Sequence, residues 1–277
     1  MYHYTSSTTA LDHILRNNTL LLNSYRKVND PKESKHWDVS PFVRTELNLE
    51  LEQYDAISEQ ISTKLKGNAK LVCFSRDKAE AVNACQPEAL LNRGFAKPSM
   101  WHHYANAHDG VCLMFNRERL EGALKMQLTA GHLFHGPVTY TNRGILPKIP
   151  GDPFVIDLLQ AKSSSDYFAA IEAHFDRWHK ELFLQKLADW SNEEEYRWVF
   201  LDNHAEPRPI DFEDALEAIV VGEGVDESRY ESFLQHCVLY KADIANLVWH
   251  NGYPRIEHPG QPYITHRGLV EEYQSNN

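Results

Sequence analysis

The stretch Trp190-Ser-Asn-Glu193-Glu194-Glu195-Tyr196-Arg197-Trp198-Val199-Phe200 decides how this chain is read, because charged and aromatic residues alternate along it. Successive side chains of a strand point to opposite faces. The alternation therefore places Tyr196, Trp198 and Phe200 on one face and Glu193, Glu195, Arg197 and Val199 on the other. The aromatic face is expected to be core. The other face suits binding of a hydroxylated or cationic group, or stabilisation of a developing positive charge. On that reading Glu195 faces a cleft and binds a ribose hydroxyl or supports an oxocarbenium-like transition state. Glu193 then polarises an acceptor nucleophile, and Arg197 holds the carboxylates in place. On the plainer reading the face is the wet side of an edge strand, where exposed ion pairs contribute about 0–1 kcal/mol.

Around this strand, expected over 195–201, the pattern predicts short buried strands at residues 71–75, 110–115 and 216–221. Near the N-terminus, strands at 2–5 and 19–22 flank a helix over 8–17, with Thr8 or Thr9 as its N-cap. Asn29-Asp30-Pro31 is turn chemistry, because Pro31 fixes its own φ and biases Asp30 away from helix. Helical spacing predicts helices over 42–66, 99–105 (capped by Ser99) and 226–236. A Pro- and Gly-rich loop at 144–153 opens a helical insertion at about 150–188. The fold class expected is α+β: a single domain over 1–250 with a split mixed β-sheet flanked by helices, followed by a surface-packed tail at 251–277.

The chain has 277 residues and a net charge of -11, which disfavours tracking extended nucleic-acid backbone by bulk electrostatics. Cys73, Cys85, Cys112 and Cys237 form no close pair and read as buried free thiols. No run approaches the roughly 18 apolar residues that span a membrane, so no membrane partner and a cytoplasmic address are expected.

Other candidate groups are more scattered. His3 would point opposite to Tyr2 and Tyr4, donating to a sugar hydroxyl, with Thr5 adding a hydrogen bond from the same face. Trp101 and Tyr104 share a short helix and could stack on a flat ring, although such faces are more often core. Asn29, Asp30 and Glu33 invite a metal reading, and Asp30, Glu33, Glu193 and Glu195 together would suit a metal-dependent nuclease. No HExxH, GxSxG, GxGxxG or Walker-type loop occurs.

Five blocks occur in order: Tyr2-x-Tyr4, Asn29-Asp30-Pro31-x-Glu33, Cys73-Phe74-Ser75, Met100-Trp101-x-x-Tyr104 with His108-x-Gly110, and Lys186-x3-Trp190-x2-Glu193-x-Glu195-x-Arg197. Together they resemble a bacterial family catalogued as a domain of unknown function, DUF2971. A more distant resemblance is to ADP-ribosyltransferase-like proteins. His3-Tyr4-Thr5 is similar to their first element, Ser75 or Tyr104 to the second, and Glu193-x-Glu195 to the late glutamate, with Glu195 at the catalytic position. That resemblance implies NAD as substrate, an unknown protein or nucleic-acid acceptor, a toxin or phage-defence role, and no metal. It would use Arg26, Lys27 or Arg76 for the pyrophosphate. The alternative is a non-catalytic module that senses a nucleotide or a protein.

Overall fold

All seven residues of the strand Glu195–Leu201 are buried, so the polar face of the alternating stretch meets protein rather than solvent. The edge-strand reading is thereby corrected, because a strand lies on each side of this one. A computed structural model describes residues 1–35, 37–42, 51–78, 87–142, 151–159, 164–202 and 204–257. In chain order the elements are β1 (Tyr2–Ser6), α1 (Ser7–Thr9), β2 (Thr19–Ser24), α2 (Pro31–Ser34), β3 (Ser40–Phe42), α3 (Leu51–Asn68), β4 (Ala69–Ser75), α4 (Pro98–Tyr104), β5 (Gly110–Phe115) and α5 (Arg117–Gln127). There follow β6 (His132–Pro137), β7 (Thr139–Tyr140), β8 (Val155–Asp157), α6 (Ser164–Phe183), β9 (Gln185–Lys186), β10 (Glu195–Leu201), β11 (Arg208–Asp211), β12 (Leu216–Gly222), α7 (Glu227–Tyr240), β13 (Asp243–His250) and β14 (Tyr253–Glu257). The chain is a single α+β domain around a mixed sheet.

Among the described residues that sheet has 10 strands, in the order β11-β2-β4-β1-β5-β12-β13-β14, with β10 on β4 and β6 on β10. β12 and β13 are parallel, joined by α7, whereas β10 is antiparallel to both β4 and β6. β10 covers one edge of β4 along its whole length. The other edge is shared: β2 pairs at Lys70 and Leu71, and β1 pairs at Ser75. Between those registers the sheet splits.

Alternation sorts the core. Val72 and Phe74 of β4, Leu113 of β5 and Trp198 of β10 join one apolar cluster, which packs against α5 and α7. The opposite face carries two clusters. One lies under β4 and β10 and takes in Phe175, Leu182 and Phe183 of α6. The other lies under β1, β5 and β12 and contains Tyr2, Tyr4 and Trp101.

Several local expectations shift. Ser6, not Thr8 or Thr9, caps the first helix, which continues as a π-helical turn over Ala10–Leu15. Lys97 precedes α4 in the cap position, without a side-chain cap bond, where Ser99 had been expected. Residues 253–257 of the expected tail form β14, hairpinned to β13 through Asn251 (φ 52) and Gly252 (φ 80). Asn-Gly is the favoured pair for a two-residue turn that needs positive φ at both positions. Residues 258–277, like Cys85, lie outside the described residues.

β5 approaches β1 closely at Gly110, where a Cβ would stand 2.4 Å from the Thr5 carbonyl oxygen and 2.7 Å from that of Ala105. Both obstacles are backbone and cannot rotate away. Gly110→Ala is therefore expected to cost about 1–3 kcal/mol through strain. A urea midpoint unchanged from wild type would refute this close approach.

Candidate functional site

A cleft of about 580 Å³ passes through the split between β1, β2 and β4. Its size is that of a small-molecule site, for which roughly 300–1,000 Å³ is usual. Apolar walls come from Ile14, Leu21, Val28, Leu71, Phe74 and Met100, and neutral polar groups from Asn17, Asn23, Asn29, Thr19, Ser75 and Tyr104. Lys186, Glu193, Glu195 and Arg197 line one end.

That end is a buried charge network. Arg197, fully buried, donates through Nε to Glu195 Oε1 at 2.5 Å and through Nη2 to Glu195 Oε2 at 2.9 Å. Its Nη1 and Nη2 also grip Glu33, whose position is set by α2, and Nη1 reaches the Phe183 carbonyl at 2.9 Å. The last carbonyls of a helix carry partial negative charge, so the end of α6 also favours the guanidinium. Asp30 caps α2 with Oδ1, accepting from the Lys32 N–H, and accepts from the Leu187 N–H with Oδ2. It thereby holds β9 against α2.

Lys186 of β9 bridges the two glutamates, at 2.5 Å from Glu193 Oε2 and 3.1 Å from Glu195 Oε2. Glu193 precedes the strand proper, and the left-handed Glu194 between them (φ 46, ψ 48) lets both carboxylates converge on one ammonium. Tyr104 donates to Glu193 Oε1 at 2.7 Å, and Asn29 donates to the Tyr104 hydroxyl at 3.2 Å. Ser75 secures the same turn by donating to the Glu193 carbonyl at 2.6 Å. Tyr140 accepts from the Glu195 N–H at 2.8 Å.

The two glutamates are shifted in opposite directions. Burial alone would raise the Glu195 carboxyl, but Arg197 and Lys186 outweigh it and hold it at about 2. Burial also raises Glu193, and there it wins: Lys186 opposes it, the Glu195 charge adds to it, and the carboxyl stays above the usual range. For Lys186, burial favours loss of the proton, yet Glu195 and Glu193 more than reverse this. Burial and the Glu195 charge push the Cys73 thiol far up, so it is a poor nucleophile.

His3 lines the cleft, with Nδ1 3.0 Å from the Cys73 carbonyl, and burial lowers its pKa. A carbonyl only accepts, so Nδ1 carries the proton and neutral His3 is left with an acceptor at Nε2. His3 would thus accept from a ligand hydroxyl, the reverse of the donor role expected from the sequence.

The remaining expected contacts fall elsewhere. Trp101 is fully buried, donates to the Phe95 carbonyl at 2.7 Å and stands edge-on to Tyr4, while neither Trp101 nor Thr5 lines the cleft. Tyr4 lines it, but its hydroxyl is given to the Gly94 carbonyl at 2.7 Å. Arg76 is held by Glu194, and Arg26 lies beside Gly67; neither lines the cleft, and the Lys27 side chain is outside the described residues. The carboxylates grouped for a nuclease are engaged by protein donors, and among the described residues no group of three or more His, Cys, Asp and Glu is placed to hold a metal ion. Lys186, Asn17 and Asn23 also line the cleft, beyond the residues expected from the sequence. The spacing Thr19-x-Leu21-x-Asn23 on one strand was the available signal, since these side chains share a face.

Among the described residues no helix is long and apolar enough to cross a membrane. Residues 100–198 match the family model described as protein of unknown function (DUF2971). That span contains the Met100–Tyr104 block and the Lys186–Arg197 block, and thus Tyr104, Lys186, Glu193, Glu195 and Arg197 of the cleft. No curated protein and no solved structure matches the chain.

Proposed function

We propose that the cleft in the split sheet is the binding site of a non-catalytic recognition module for a nucleoside- or nucleotide-type ligand. The observation that carries this reading is the network Glu33–Arg197–Glu195–Lys186–Glu193, in which each cation is held between two carboxylates. Glu195 spends both oxygens on Arg197. Such a group positions hydroxyl donors well and is reluctant to follow a changing charge. The apolar walls suit a flat ring and the neutral amides its edges.

A second reading, NAD-dependent ADP-ribosyl transfer, is favoured by one observation: His3, Ser75, Glu193 and Glu195 all reach the same cleft. Here Glu195, held ionised, would stabilise positive charge growing on a ribose as nicotinamide leaves.

The test is nicotinamide release from NAD by purified protein, run beside equilibrium binding of nucleosides and nucleotides, for wild type and Glu195→Gln. The recognition reading expects binding without release, and a change of affinity alone in the variant once circular dichroism shows it folded. Release that disappears in a folded Glu195→Gln would replace it with the transferase reading.

A further inference from the structure

We infer that the ligand of this cleft is an unphosphorylated nucleoside, neutral or carrying a fixed positive charge on its base, and that the acidic end excludes phosphate. The inference rests on the binding role proposed above and names the ligand class within it.

Charge decides the matter. Among the described lining residues the only lysine and arginine are Lys186 and Arg197, and both are already committed to carboxylates. Arg197 lies between Glu33 and Glu195, and Lys186 between Glu193 and Glu195, so three carboxylates face two cations. A phosphate entering this end meets an excess of negative charge on side chains that are themselves buried, where like charges repel more strongly than in water. To bind it, a cation would have to leave a buried carboxylate unpaired, and that exchange is costly. Burial raises the Glu193 carboxyl, and the neighbouring Glu195 charge adds to the rise.

A nucleoside has no such conflict. Its ring can lie in the apolar part of the cleft, with Asn17 and Asn23 to meet polar edges. Its sugar hydroxyls can donate to Glu193, Glu195 and the Nε2 acceptor of His3, and a cationic base is compatible with the net negative end.

The experiment is isothermal titration of the whole chain with the common ribonucleosides and nicotinamide riboside, each beside its 5′-monophosphate. At least one nucleoside should bind, and its monophosphate should bind tenfold or more weakly. In Glu193→Gln, which removes a charge but keeps the shape, this ratio should shrink severalfold. A monophosphate that binds as tightly as its nucleoside would overturn the inference while leaving the binding role intact. So would an unchanged ratio in the folded variant. No binding by any compound would overturn both.

Discussion

Arg197→Ala is expected to lose about 3–5 kcal/mol of folding stability, because removing one member of a buried charge network strands the others. Glu33 and Glu195 would keep their burial, at 1% and 4% exposure, without the guanidinium that grips both. Arg197→Lys should recover little of this, since an ammonium cannot fork to two carboxylates and reach the Phe183 carbonyl as well. A second change separates charge from packing. Glu33→Gln should cost less in the Arg197→Ala background than in wild type, because it then removes a stranded charge. Urea midpoints for the cycle measure this. Additive losses would show that Arg197 acts by packing alone.

Lys186→Met should cost a similar amount near pH 8, again about 3–5 kcal/mol, and the loss should shrink on acidification. Without the bridging ammonium, Glu193 and Glu195 face each other in one buried site, and one of them takes a proton. Glu193 takes it, since its carboxyl is already raised whereas Arg197 keeps Glu195 ionised. A raised carboxyl contributes stability that is complete below its ordinary value of 4.5 and is lost as pH rises through the folded value. The variant should therefore gain stability from pH 8 to pH 5. Glu195 acts in the opposite sense: its lowered value contributes stability above 4.5 that is lost as pH falls toward about 2. Urea denaturation of wild type and variant at pH 5 and pH 8 tests the role given to Glu193, which an equal loss at both would refute; a wild-type series continued below pH 4 reads the Glu195 contribution.

The alternation from Glu195 onward was legible because a strand's side-chain period is a local property. The strand expected at 195–201 is the one observed. Whether its polar face is wet could not be read there, because the partner that buries Arg197 is Glu33, 164 residues away. Nothing in the local pattern separates a solvated ion pair from a buried one. Trp101 shows the same limit in reverse: an aromatic on a short helix fits either a ligand or a core, and the Phe95 carbonyl together with Tyr4 assigned it to the core. By contrast, the β13–β14 hairpin was readable from Asn251-Gly252, and the surrounding polar composition masked it.

The sequence by itself determined the α+β class, the central strand and the sharing of one strand face by Glu195 and Arg197, since these follow from periodicity and residue type. Tertiary structure alone decided that β1 and β2 share one edge of β4 and leave a cleft between their registers. It also decided that a backbone carbonyl makes His3 an acceptor and that Lys186 and Arg197 are consumed by carboxylates. The reason is physical: charge state and hydrogen-bond direction depend on which groups are neighbours and how little water lies between them, and those neighbours come from segments far apart in the chain.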